Sequence, residues 1–302
     1  MPKNHYREMS LKKLFQRPLS ETLNNIKGRV LSAFNSSDKR VNPPAGMTLV
    51  FQDNFETFRE NAWRMSQPWG DFHPNFLNLY YGREEVVQCE NNELHLRLKH
   101  QPRVFYRDQL KPWQIGNHDL PAEFTIPYCA GLVVSKGSWK YGWFEAEVML
   151  PYGMNLWPAF WLSGAETWPP EIDIFEAYSN HSPKYGRKIL NDVEDDWQIQ
   201  PNLHYGVVSE RTKEMYGSYN VKVKDCTEKF VQYACHWSKD FIRIYYNGVQ
   251  VFETVDRDIL QWFNRSNARM NVIFNNGVIG DAGVSKPPSE SVMRVRNFKV
   301  YV

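Results

Sequence analysis

Trp168-Pro-Pro-Glu171-Ile-Asp173-Ile-Phe-Glu176-Ala-Tyr178 is the most informative run in the chain. Three acids stand here among apolar residues that otherwise read as a buried strand. Side chains on a strand alternate faces, so Glu171 and Asp173 share one face while Ile172 and Ile174 point into a core. Strict alternation puts Glu176, five positions after Glu171, on the wrong face. One extra residue around Ile174-Phe175, a β-bulge, restores the parity and returns Glu176 to the side of the other two acids. Like charges aligned on one strand face repel, so the arrangement does nothing for stability and points to a site where carboxylates do chemistry.

Immediately upstream, Asn155-Leu-Trp157-Pro-Ala-Phe-Trp161-Leu-Ser sets Trp157, Ala159 and Trp161 opposite Leu156, Phe160 and Leu162. Two Trp on the non-core face either offer flat platforms for sugar rings or fill a second core layer. Further out, the chain from about Gly46 reads as short strands with turn punctuation. Val86–Glu90 and Glu93–Lys99 alternate around the turn Asn91-Asn92, and Gly131–Ser135 and Trp143–Met149 follow. In the last of these, Phe144, Ala146 and Val148 face one way and Trp143, Glu145 and Glu147 the other. Strands are also expected over Pro201–Val208, Phe230–Trp237, Phe241–Tyr246, Val249–Thr254, Arg269–Asn275 and Val292–Val302, with one helix around Asp258–Phe263. Many short antiparallel strands at this spacing predict an all-β sandwich.

The chain has 302 residues, 15% of them aromatic, enough to fill a sizeable core and line a groove. Its formal net charge of +2 gives no strong field toward nucleic acid or membranes, and no apolar run is long enough to span a bilayer. Residues 1–45 carry nine Lys/Arg against three Asp/Glu and read as a flexible basic leader or linker, leaving 46–302 as the folded domain. Ser10–Ile26 has the pattern of a short amphipathic helix interrupted near Pro18. The basic start is not followed by the apolar run of an ordinary signal peptide. Cys89, Cys129, Cys226 and Cys235 show neither CxxC spacing nor a nearby His at zinc-ligand intervals, so free buried thiols are expected.

These stretches together resemble glycoside hydrolase family 16, the laminarinase, lichenase, agarase and carrageenase group. The matching segments are Ser135-Lys-Gly, Tyr141-Gly-Trp-Phe-Glu145-Ala, Leu156-Trp-Pro-Ala-Phe-Trp-Leu and Glu171-Ile-Asp-Ile-Phe-Glu176. Asn202-Leu-His204-Tyr-Gly, Tyr233-Ala-Cys-His-Trp237 and Ile244-Tyr-Tyr-Asn-Gly248 follow in the expected order. The resemblance covers roughly 48–302. It implies a β-jelly-roll of two stacked antiparallel sheets, the concave one forming an open cleft for a polysaccharide. It also implies Glu171 as nucleophile, Glu176 as acid/base and Asp173 as hydrogen-bonding partner of the nucleophile. A retaining reaction wants the two glutamate carboxyls about 5–5.5 Å apart. Glu176 then has to hold a proton while Glu171 stays ionised. His204 matches a strand histidine projecting into the cleft near the acid/base. Trp157, Trp161, Trp168 and Glu145 join it as expected substrate-binding residues.

The departures bear on detail. Pro170 stands where the family usually has Gly or another small residue, and Glu147 where many members carry Arg. Arg296 replaces an Asp that often ligates a structural calcium, so no metal is expected there. No cofactor is implied. The expected partner is a polysaccharide met by a monomer outside the cell or in a periplasm, although no signal segment is visible. A neutral β-1,3 or mixed-linkage glucan is preferred over an algal galactan. For the latter, Lys184, Arg187 and Lys188 would meet sulfates rather than merely solvate a loop. Residues 54–82, 100–128 and 179–200 read as irregular cleft walls. A transglycosylase and a non-catalytic glycan-binding module on the same sandwich are the alternatives, the second disfavoured because all three acids are present.

Overall fold

The computed structural model of the chain describes residues 39–302 apart from 68–69, 72–78, 111–119, 180–196, 210–211, 217–220 and 279–286. The helix expected over Ser10–Ile26 and the basic residues Lys184, Arg187 and Lys188 lie outside the described residues. In chain order the strands begin with β1 (Leu49–Asp53), β2 (Trp63–Arg64), β3 (Leu79–Tyr81), β4 (Val87–Glu90), β5 (Glu93–Tyr106) and β6 (Glu123–Ala130). Next come β7 (Leu132–Trp139), β8 (Gly142–Met149), β9 (Ala159–Gly164), β10 (Glu171–Ser179), β11 (Trp197–Ser209) and β12 (Thr212–Tyr216). The chain closes with β13 (Val231–Trp237), β14 (Ile242–Tyr246), β15 (Val249–Thr254), helix α1 (Arg257–Phe263), β16 (Met270–Asn275) and β17 (Glu290–Tyr301).

The strands form two stacked sheets of the jelly-roll type. A ten-stranded sheet runs β15-β14-β13-β8-β17-β5-β6-β3, with β1 on β17 and β4 on β5; a seven-stranded sheet runs β12-β11-β10-β9-β16-β7-β2. Alternation explains the core between them. Leu94, Leu96 and Leu98 of β5 and Phe144, Ala146 and Val148 of β8 meet Phe160, Ile172, Phe175 and Phe274 from the facing sheet, all buried. Phe160 and Phe274 stack with centroids 4.3 Å apart. The turns follow their residues. Asn91 and Asn92 have φ of 54° and 60°, and Asn247 and Gly248 have 47° and 78°, the left-handed pairs that close two-residue hairpins. Helix α1 starts where Asp256 accepts a hydrogen bond from Asp258 N.

Two features depart from the sequence reading. The described residues of 100–128 are largely paired rather than irregular: β5 and β6 pair from Leu98↔Ala130 to Tyr106↔Glu123, with one register shift between His100 and Arg103. The outer half of β5 is exposed on both faces, so it carries no in/out pattern to read. One ladder, β3 with β6, is parallel rather than antiparallel.

At Gly131 the chain leaves β6 in one sheet and enters β7 in the other. A Cβ there would sit 2.4 Å from Val86 O and 3.0 Å from Leu96 Cα, so only glycine lets the crossing strand pass this close. All four cysteines are free, Cys129, Cys226 and Cys235 buried and Cys89 half-buried. Among the described residues no helix is long and apolar enough to cross a membrane.

Candidate active site

Both neighbours of β10 record the bulge. On β9, Asp173 pairs with Trp161 and Phe175 with the adjacent Phe160, so Ile174 has no partner of its own. On β11, Asp173 faces Asn202 and Glu176 faces Gln200, three residues against two. Ile174 and Phe175 both bury their side chains in the core, and Glu176 emerges on the outer face with Glu171 and Asp173. The residue that escapes the ladder leaves a carbonyl to satisfy. Tyr246, fully buried on β14, reaches across the core and donates its hydroxyl to Ile174 O at 2.9 Å. The kink that aims the acids is therefore tied to the opposite sheet.

The register lays out a floor across the outer face of the seven-stranded sheet. One row runs His204, Glu171, Ser163 and Asn271. The next runs Asn202, Asp173, Trp161, Ile273, Val134 and Arg64. A third runs Gln200, Glu176, Ala159, Asn275 and Leu132. The acids thus sit between polar residues of β11 and an apolar strip on β9, β16 and β7.

The two glutamates are held by neutral donors. Trp168 Nε1 donates to Glu171 Oε2 at 2.7 Å. Glu176 Oε1 accepts from Tyr178 OH at 3.0 Å and Trp157 Nε1 at 3.2 Å, and its Oε2 is 3.5 Å from Asn202 Nδ2. His204 Nε2 lies 3.2 Å from Glu171 Oε1 and 3.3 Å from Asp173 Oδ2, and 3.4 Å from Asn202 Nδ2. Among the described residues no Arg or Lys pairs with any of the three acids. Burial, with the charge of Asp173 next, pushes Glu171 up to about 8; burial and then the charge of Glu176 hold Asp173 well above the usual carboxylate range. Glu171 and Asp173 therefore hold protons more readily than exposed acids do. Sequence reasoning expected Glu171 ionised; in the unliganded site it is a raised group.

The predicted residues divide on geometry. Glu171, Asp173, Glu176, Trp157, Trp161, Trp168 and His204 converge on this face. His204 sits beside Glu171 and Asp173, with Asn202 taking the place beside the expected acid/base. Trp157 and Trp168 turn indole N–H groups onto the acids, and Trp161 donates to Asn275 Oδ1 at 2.8 Å. Glu145 does not join them. It lies on the outer face of the other sheet, where its Oε2 accepts from Trp143 Nε1 at 2.9 Å and Gln232 Nε2 at 3.0 Å. The expectation of a substrate contact at Glu145 is corrected: even spacing on β8 placed it opposite the core, but on the wrong sheet. Asn202, Tyr178 and Asn275 were not anticipated. Asn202 is two residues before His204 and Tyr178 two after Glu176, so the same alternation was available to find them.

At Arg296, the position read as unsuited to calcium, the guanidinium donates to Glu147 Oε2 at 2.7 Å, so a cation would meet its own sign. Elsewhere among the described residues, one set of ligand-type atoms clusters within 4.8 Å, and it is Glu171, Asp173 and His204 themselves.

The family model for glycosyl hydrolases family 16 matches residues 75–282. A glucan endo-1,3-β-glucosidase of Cryptopygus antarcticus is 24% identical over 226 residues, 70% of this chain and 76% of that protein. The clotting factor G alpha subunit of Tachypleus tridentatus is 24% identical over 68% of this chain, but the match spans only 26% of that longer protein. The solved LamAcat structure from Zobellia galactanivorans superposes with a TM-score of 0.63 at 19% identity, covering 84% of this chain and 98% of that one. With the family model spanning well over half its length and the bulged acid strand at its centre, the chain belongs to glycosyl hydrolases family 16, and is a glycoside hydrolase.

Proposed function

We propose that the protein is a retaining, endo-acting hydrolase of a β-linked glucan, of β-1,3 or mixed linkage. The observation that carries this reading is the bulge, which sets Glu171 and Glu176 on one face with Asp173 between them. Glu171 attacks the anomeric carbon as Glu176 gives its proton to the leaving oxygen; Glu176 then takes a proton from the water that releases the glycosyl-enzyme. Glu171 attacks as the carboxylate, so its raised pKa has to be overcome and its proton lost before the step. Its ionised form is costly in the empty site and becomes favourable when positive charge develops on the sugar ring beside it. Asp173 and His204 flank the nucleophile, with His204 Nε2 within 3.3 Å of both acids.

The neutral surroundings favour a neutral substrate. Among the described residues, the floor around the acids carries amide, hydroxyl and indole groups and an apolar strip, without a basic cluster. The Cryptopygus antarcticus relative, named as acting on 1,3-β-glucan, supports the same choice. The domain division at about residue 46 remains part of the proposal, with 46–302 as the catalytic unit.

Incubation with laminarin, mixed-linkage glucan, agarose, porphyran and carrageenan, with NMR of the first anomer formed, tests the reading. Oligosaccharides from laminarin or mixed-linkage glucan, released first as the β-anomer, are expected. An α-anomer first product overturns retention, cleavage of galactans alone overturns the glucan, and larger rather than smaller products indicate transglycosylation.

A further inference from the structure

The row that contains Asp173 does not stop at the acids. It continues through Trp161, Ile273 and Val134 to Arg64 on β2, the edge strand of the sheet. Ile273, Val134 and Leu132 form a small apolar cluster on this outer face, separate from the main core, with Tyr81 and Trp161 packed against it. Trp63, the neighbour of Arg64, points the other way into the main core, so Arg64 shares the face of the acids.

Arg64 is treated unlike Arg83, Arg294 and Arg296. Arg83 pairs with Asp71, Arg294 with Glu93 and Arg296 with Glu147. Among the described residues no carboxylate pairs with Arg64, and its Nε is buried without a hydrogen-bond partner. Burial lowers its pKa below the usual guanidinium value, with no acid to offset it. Gln67, three residues on, repeats the pattern with an acceptor. Its side chain lies close to that of Tyr81, which packs on the apolar cluster, and its Oε1 is buried without a hydrogen-bond partner. A donor and an acceptor left unmatched beside one apolar strip are costly unless a ligand completes them.

We propose that Arg64, with Gln67, forms a distal sugar subsite. In it a glycan unit lies on the Trp161–Ile273–Val134 strip and its hydroxyl or ring oxygens accept from the guanidinium. This rests on the reading of the acids as the cleavage point. Four strand spacings of about 4.8 Å place Arg64 roughly 19 Å from the acids, several sugar units away. The subsite therefore acts on chain length rather than on bond cleavage.

Rates on laminari-oligosaccharides of three to six units test it, with wild type beside Arg64→Ala and Arg64→Lys. Arg64→Ala is expected to lose roughly tenfold to hundredfold in kcat/KM on the hexaose through KM, with under about twofold change on the triose. Arg64→Lys should recover part of the loss. An equal loss at every length, or none at any, overturns the proposal; a loss confined to sulfated carrageenan oligosaccharides reassigns the guanidinium to an anion and overturns the hydroxyl contact. Should wild type cleave no glucan, the functional reading has failed rather than the subsite. Calorimetric binding of laminarihexaose then decides the subsite: about tenfold weaker binding by Arg64→Ala supports it, and unchanged binding or none to either protein overturns it.

Discussion

Carboxylates on the outer faces of the two sheets are treated in opposite ways. On the ten-stranded sheet, Glu147 pairs with Arg40 and Arg296, Glu93 with Arg294 and His95, and Glu145 accepts from Trp143 and Gln232. Burial works against the Glu93 charge, but hydrogen bonds from Arg294 and His95 outweigh it and hold the group below its usual range. On the seven-stranded sheet, Glu171, Asp173 and Glu176 receive indole, amide, phenol and imidazole groups, and Glu171 and Asp173 are raised. One face pairs Glu93 and Glu147 with guanidinium groups and gains stability from them. The other leaves its acids crowded, which is unfavourable for folding and useful for chemistry.

Glutamine in place of each acid separates the two faces most sharply. Glu171→Gln is expected to cut turnover of the cleaved glucan by about four orders of magnitude or more while retaining oligosaccharide binding. Glu147→Gln should leave kcat per folded molecule within about twofold. Comparable losses in both variants would erase the functional distinction between the faces.

Stability should separate them in the reverse direction and with opposite pH dependence. A carboxyl raised on folding stabilises the protein below its unfolded pKa, and that contribution is lost as pH rises through the folded value. For Glu171 the window runs from about 4.5 to about 8. Glu171→Gln should thus match wild type near pH 4 and gain about 2–4 kcal/mol by pH 8 in denaturant titrations. A gain independent of pH would show that the charge is not its cause. Glu93 has the other sign: its lowered pKa contributes stability above the unfolded value, lost as pH falls through the folded one. Arg294→Met should cost about 1–2 kcal/mol at pH 7, and the cost should fade under acid as Glu93 is protonated. The smallest expected change tests the link between the faces. Tyr246→Phe, which leaves the Ile174 carbonyl unsatisfied, should cost about 1 kcal/mol and lower kcat several-fold with KM little changed. Unaltered kcat would mean the bulge holds its shape without Tyr246.

Legibility of the fold and site followed the range of the forces involved. Alternation in Glu93–Lys99 and Trp143–Met149, and the asparagine turns, are local, and those strands and turns stand where expected. The outer arm of β5, exposed on both faces, carried no pattern and read as loop. The acids were legible because their parity failed, and a failed parity can be repaired only by an extra residue. Glu145 misled because a period of two says which side of a strand a residue is on, not which sheet the strand joins.

The bulge and the three acids are written within a dozen residues, and the sandwich in a succession of short alternating strands, each a local spacing of apolar and charged side chains. Tertiary structure alone decided that His204 stands by Glu171 and Asp173 rather than by Glu176, that Tyr246 caps the bulge from 72 residues away, and that Arg64 ends the row through Asp173. Those facts depend on strand order and register between distant segments, and register is set by packing summed over two whole sheets rather than by any one stretch.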